Sequence, residues 1–196
     1  MTTWPSWCWS GRWLDRTTAA AHRRGMEIRT PRLTLRTARP DDLAAMHVVL
    51  SSVEATRWWS TPPHVDMDQT HDWLASMIAK GPENPDFVVE VEGRAVGKAG
   101  FFTPPEIGYI LHPDVWGRGL AFEACRAALD HLFTTTGHAE ATADVDPENA
   151  ASIRLLEKLG FVRTGFRART WNVGGEWKDS FFYGLSRGEW ASRGEA

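Results

Sequence analysis

The stretch Val115-Trp116-Gly117-Arg118-Gly119-Leu120-Ala121-Phe122-Glu123-Ala124 constrains this chain more than any other part of it. It follows an apolar run, Ile107-Gly108-Tyr109-Ile110-Leu111, and opens a pattern in which Ala121, Ala124, Cys125, Ala128 and Leu132 share one face at helical spacing. The order is therefore strand, glycine-punctuated turn, helix. The first turn of a helix leaves backbone N–H groups unpaired and carries partial positive charge, so such a junction suits an anion. Gly117 and Gly119 allow phosphate oxygens to approach the backbone with no Cβ in the way. Taken alone, a Gly-x-Gly also fits an ordinary strand-to-helix turn, and other segments must decide.

A second helix is expected from Asn149, with Ile153, Leu156 and Leu159 as its buried stripe, Gly160 as its end and a strand from Phe161. Two further segments matter: Thr30-Pro31-Arg32-Leu33-Thr34-Leu35-Arg36 near the start, and Gly175-Glu176-Trp177-Lys178-Asp179-Ser180 with Tyr183-Gly184-Leu185 near the end. Trp116 to Ala121 resembles the acyl-CoA pyrophosphate loop of the GNAT N-acetyltransferases, written [QR]-x-x-G-x-[GA]. Asn149-x-x-Ser152 followed by Glu157-Lys158-Leu159-Gly160-Phe161 resembles their second CoA-contacting helix. The opening and closing segments resemble strands of the RimJ/RimL-like branch, and the likeness runs in order over residues 27–190. Trp116 stands where many members carry Gln or Arg.

The remaining pattern fills in an α/β chain. Arg32–Thr37 reads as a strand, and Asp41 or Asp42 caps a helix to Leu50 with Leu43, Met46 and Leu50 inward. Residues 51–65 read as an irregular loop, and Asp68 caps a helix through Trp73, Met77 and Ile78 that Gly81 and Pro82 stop. Phe87–Val91 and Arg94–Phe102 form a hairpin about Glu92-Gly93. Strands Glu106–Leu111 and Ala139–Val145 follow, and Phe161–Trp171 and Asp179–Leu185 close the sheet. The expectation is a mixed, partly splayed central sheet with helices on both faces, the GNAT-like arrangement that the resemblance implies.

At 196 residues and 42% hydrophobic content there is enough chain for one core, expected over residues 26–190. A formal net charge of −3 argues against a dedicated nucleic-acid binder, and no apolar run approaches the ~18 residues of a membrane span. Cys8 and Cys125 have no paired spacing, so a disulfide framework is not expected and a reducing cytoplasm is the default. The histidines, among them His64, His71, His112 and His131, show no ligand spacing with a third partner, so no metal site is expected. Residues 1–25, with Trp4, Trp7, Trp9 and Trp13, read as a poorly ordered leader, and 191–196 as a fraying tail.

The resemblance implies acetyl-CoA as co-substrate, lying between two splayed parallel strands, Glu106–Leu111 and Ala139–Val145. Backbone groups of Tyr109, Ile110 and Leu111 would pair with the pantetheine amides as a short β-augmentation. Trp116, Gly117, Arg118, Gly119, Leu120 and Ala121 would take the pyrophosphate, and Asn149 the pantetheine arm. The amine must lose a proton, the oxyanion needs a donor and the leaving thiolate needs a proton. Glu106 at the mouth of the splayed strand is the first candidate base and Asp144 on the facing strand the second. Many relatives place a tyrosine that protonates the thiolate four residues before the Gly-Phe pair; Leu156 stands there, and the RimL-like pattern implies Ser152, three residues after Asn149, as the acid. Each has a plainer role open to it: strand-end charges for the carboxylates, helix capping for Ser152 and Asn149. Trp58, Trp59, Trp171, Trp177 and Tyr183 are candidate acceptor-site walls.

The resemblance implies direct transfer of an acetyl group to a primary amine, either a protein N-terminal α-amine or a small amine, with self-association as a homodimer admitted. A non-catalytic acyl-CoA-binding module is the alternative, favoured by the missing tyrosine. A nucleotide-binding α/β protein fits less well, because no Lys-Ser/Thr pair follows the glycines.

Overall fold

Phe87-Val88-Val89 and every residue from Val96 to Phe101 are buried, so their strands must sit in the middle of a sheet that is covered on both faces. A computed structural model describes residues 25–193, and the expectations for residues 1–24 and for the last three lie outside the described residues. Its strands are β1 (Glu27–Arg29), β2 (Thr34–Arg36), β3 (Asp86–Val91), β4 (Arg94–Thr103), β5 (Glu106–Leu111), β6 (Glu140–Val145), β7 (Val162–Val173) and β8 (Glu176–Ser186). They form one sheet in the order β1-β2-β3-β4-β5-β6-β8-β7. Every neighbouring pair is antiparallel except β5 and β6. That one parallel pair demands a crossover, and helix α4 (Leu120–Thr135) supplies it.

The other helices are α1 (Leu43–Leu50), α2 (Val53–Thr56), α3 (Met67–Ala79), α5 (Ala150–Leu159) and α6 (Arg187–Arg193). Helices α4 and α5 share the larger core with Ile107, Leu111, Ala141, Ala143 and Val145. Ala124 and Ala128 are fully buried, and side chains this small let α4 lie close against the strands. On the opposite face Met46, Val49 and Leu50 of α1 pack with Ile110, flanked by Trp59 and by Trp73 of α3. Side chains of a strand alternate between faces, so Ile107, Tyr109 and Leu111 look toward α4, whereas Glu106, Gly108 and Ile110 look toward α1.

Several expectations need correction. The strand expected over Arg32–Thr37 is the shorter β2, and an additional strand, β1, precedes it across a turn in which the Thr30 amide donates to the Leu33 carbonyl. Asp42 stands at the N-cap of α1, but its side chain makes no capping bond there. It is buried and forms a two-pronged ion pair with Arg36, which also bonds Glu90. The cap of α3 is Asp66 rather than Asp68, its carboxylate accepting from the Gln69 amide. The expected loop 51–65 holds the one-turn helix α2, capped by Ser52. The tail begins later than Ala191, since α6 runs to Arg193. Ala121 and Ile153, expected inside, are only half-buried.

Candidate functional site

The sheet comes apart in one place. Strands β5 and β6 pair only at Glu106 with Thr142, where the Thr142 amide donates to the Pro105 carbonyl at 2.8 Å. Beyond that point the two run on without pairing, β5 bonded to β4 and β6 to β8 on their outer edges. A V-shaped opening results, closed at Glu106 and widening toward Leu111. The backbone groups of one strand residue point to the same side and those of its neighbour to the other. The His112 amide donates to Val96, which places the even-numbered groups toward β4. Tyr109 and Leu111 therefore present N–H and C=O to the opening, and Ile110 does not. One of those groups is taken: the Leu111 carbonyl accepts from the Trp116 indole Nε1 at 2.8 Å.

The loop after β5 passes through a short 3₁₀ turn, Pro113–Val115, which the His112 ring caps by accepting from the Asp114 amide. Gly117 and Gly119 have φ of 70° and 74°, in the left-handed region that side chains disfavour, and Gly119 is the N-cap of α4. The first amide to find an intrahelical partner is that of Glu123, bonded to the Gly119 carbonyl. The amides of Gly117, Arg118, Gly119, Leu120, Ala121 and Phe122 have no partner among the described residues. Leu120 is buried and anchors the helix start, whereas Trp116, Gly117, Arg118 and Gly119 are exposed. Free amides at a helix start, with no side chain over two of them, are what a diphosphate needs.

At the closed end of the V the two candidate carboxylates come together on the face that looks toward α1. Burial, then the nearby charge of Asp144, pushes the Glu106 carboxyl above its ordinary range. Asp144 accepts a hydrogen bond from the Trp171 indole at 2.7 Å, so a β7 side chain orients it. Close by, Lys98 Nζ lies 2.6 Å from Asp86 Oδ1, both side chains buried, and 3.9 Å from the place a Cβ on Gly108 would occupy. Glu106 thus combines two traits of a general base: a raised pKa and a position at a cleft.

On the other face, Asn149 caps α5, its Oδ1 accepting the Ser152 amide at 3.1 Å. That capping occupies the amide oxygen and leaves the Asn149 NH₂ group for other partners. Ser152 lies on the first turn, half-buried, beside the Tyr109 phenol. Burial and the neighbouring Cys125 push that phenol well above its usual range, against the effect of Ser152. Of the aromatic walls, Tyr183 belongs elsewhere: it is buried in the core on the α4 side, opposite Ala143. Trp171 and Trp177 are exposed on β7 and β8, and Trp59 stands over Lys98, its ring centre 5.9 Å from Nζ. The Trp171 contact and the Lys98–Asp86 pair were missed in the sequence, where nothing links residues 27 and 12 positions apart.

Comparison with known proteins agrees with this arrangement. Residues 32–162 match the acetyltransferase (GNAT) domain family. An uncharacterized N-acetyltransferase p20 of Bacillus licheniformis is 30% identical over 172 residues, covering 83% of this chain and 97% of that protein. Spermidine N(1)-acetyltransferase of Escherichia coli is 28% identical over 155 residues, 74% of this chain and 81% of that one. Among solved structures, spermidine N-acetyltransferase from Vibrio cholerae in complex with CoA and spermine has the same fold. Its TM-score is 0.71 at 23% identity, over 83% of this chain and 99% of that one. With its split sheet, its open amides after β5 and a family match over most of its length, this chain belongs to the GNAT acetyltransferases.

Proposed function

We propose that the protein transfers the acetyl group of acetyl-CoA directly to a primary amine. The observation that carries this reading is the V between β5 and β6, with free amides at its wide end and Glu106 at its closed end. Amides of Gly117 to Ala121 hold the pyrophosphate, and the cleft-facing groups of Tyr109 with the Leu111 N–H and the Asn149 NH₂ hold the pantetheine arm. The thioester then points toward Glu106. An amine entering from the α1 side loses its proton to the Glu106 carboxylate as its nitrogen bonds to the thioester carbon. The tetrahedral intermediate collapses, the C–S bond breaks, and Ser152 Oγ–H hands a proton to the departing thiolate and regains one from solvent. Burial, and then the Asp144 charge, keeps Glu106 basic.

Two carboxylates facing the amine path, with Trp59 and Trp171 nearby, favour a cationic acceptor. A small polyamine fits that chemistry, and the relative named a spermidine acetyltransferase supports it. The RimJ/RimL-like motifs support a protein N-terminal amine. An acceptor screen by mass spectrometry over polyamines, peptide N-termini and aminoglycosides tests the reading. Acetylation of a polyamine supports the small-cation assignment, and acetylation of peptides alone would replace it.

The proton-accepting role has a pH signature. Glu106 must be ionised to act, and its pKa is raised, so kcat/KM should fall on acidification at a higher pH than an ordinary glutamate would give. Asp144→Asn removes the neighbouring negative charge and should move that acid limb to lower pH. An acid limb that persists unchanged in Glu106→Gln would mean that the titrating group is not Glu106.

A further inference from the structure

The turn between β1 and β2 reaches across to the anion-binding loop, and its contacts are unusually complete. Glu123, in the first turn of α4, accepts from Thr30 Oγ1 at 2.6 Å, from the Arg32 amide at 2.9 Å and from Arg32 Nε at 2.6 Å. The same guanidinium donates from Nη1 to the Arg118 carbonyl at 2.7 Å. Another of its nitrogens, Nη2, lies 3.6 Å from the position of a Cβ on Gly119. We propose that Arg32 is a positioning residue for acetyl-CoA binding: by holding Glu123 and the Arg118 carbonyl together it aims the Gly119 amide at the pyrophosphate. The proposal rests on the reading of Gly117–Ala121 as the pyrophosphate loop.

Two physical steps lead there. In a trans peptide the C=O and the next N–H point in opposite directions. Arg32 approaches from the β1–β2 edge of the sheet and pins the Arg118 oxygen on that side. The Gly119 N–H, in the same peptide unit, is thereby turned toward the β5–β6 opening. At a left-handed glycine, with no side chain to fix it, that peptide would otherwise be free to rotate. The second step is charge. A carboxylate four residues past the N-cap would repel a diphosphate bound at the same helix end. Burial raises the Glu123 pKa, but hydrogen bonds from Thr30 and Arg32 override this and hold it below the ordinary range, so Glu123 stays ionised. Arg32 cancels that charge where it would do most harm, and half of the Arg32 side chain is still in solvent.

The test is the dissociation constant of acetyl-CoA, measured by titration calorimetry for wild type, Arg32→Ala, Arg32→Lys and Gly119→Val, with kcat and KM alongside. Arg32→Ala should weaken binding by about tenfold and raise KM in step, with kcat at saturating acetyl-CoA near wild type. A residue that matters only for folding would not split KM from kcat in this way. Arg32→Lys keeps a cation for Glu123 but cannot also hold the Arg118 carbonyl, so its affinity should fall between the two. Arg32→Ala with Glu123→Gln should recover part of the lost affinity, because the repelling charge goes too. Should Arg32→Ala lose its cooperative thermal transition, Arg32→Lys carries the same comparison. Wild-type affinity in Arg32→Ala, with loss in Gly119→Val, overturns the proposal and leaves the loop standing. Wild-type affinity in both overturns the loop reading as well.

Discussion

Replacing Glu106 with glutamine is expected to lower turnover by ~100 to 10,000-fold, the usual worth of general-base assistance, while acetyl-CoA affinity stays within about twofold of wild type. The substitution keeps shape and removes only the proton acceptor. Glu106 lies at the closed end of the V, remote from the loop amides, so the cofactor grip should not notice it. Folding is not expected to suffer. A carboxyl whose pKa is raised in the folded state stabilises the fold fully only below its unfolded value, and that contribution is lost as pH rises through the folded value. At neutral pH Glu106 is therefore a liability, and Glu106→Gln should melt no lower than wild type. Single-turnover assays at saturating acetyl-CoA, with a melting curve beside them, check both halves. If Asp144→Asn abolishes turnover and Glu106→Gln is silent, the carboxylates exchange roles.

Gly119→Val should raise the dissociation constant of acetyl-CoA by more than about tenfold, equivalent to roughly 1.4 kcal/mol or more. Two effects add. Gly119 sits at φ 74°, where an L side chain costs roughly 1–2 kcal/mol and a β-branched one is worst placed. The valine methyls would also stand over amides that the pyrophosphate must reach. Only Arg32 Nη2, at 3.6 Å, lies near the new Cβ, so the core beneath is undisturbed and the variant should fold. Gly119→Ala should show a smaller loss. Calorimetric titration of both variants measures the effect, and unchanged affinity in folded Gly119→Val would remove the loop from the site.

The parts of this molecule that could be read in the sequence are those whose cause is local. The β5–loop–α4 unit was legible because an apolar run, two glycines and a helical stripe lie within some thirty residues, each constraining the backbone where it stands. Helix α5 was legible for the same reason, with Asn149 as cap and Gly160 as stop. What failed was set by distant partners. Asp42 has the sequence context of a cap, yet the buried guanidinium of Arg36 claims it. Tyr183 is a candidate wall from the sequence, but strand parity turns it into the α4-side core. The Arg32–Glu123 contact spans 91 residues and the Trp171–Asp144 bond 27, so only the folded sheet brings them together. Backbone direction was half legible: β5 was placed as the open edge, but the alternation that turns Ile110 toward β4 depends on its register with Gly97 and Lys98.

The central claim is direct transfer from bound acetyl-CoA to an amine, and one measurement meets it squarely. The protein is mixed with one equivalent of acetyl-CoA and an excess of an acceptor found in the screen, quenched over a single turnover, and both protein and acceptor are weighed by mass spectrometry. Direct transfer predicts that the acceptor gains the acetyl group at the rate free CoA appears, with the protein mass unchanged at every time point. An acetylated protein that forms and decays before the acceptor is modified would contradict it.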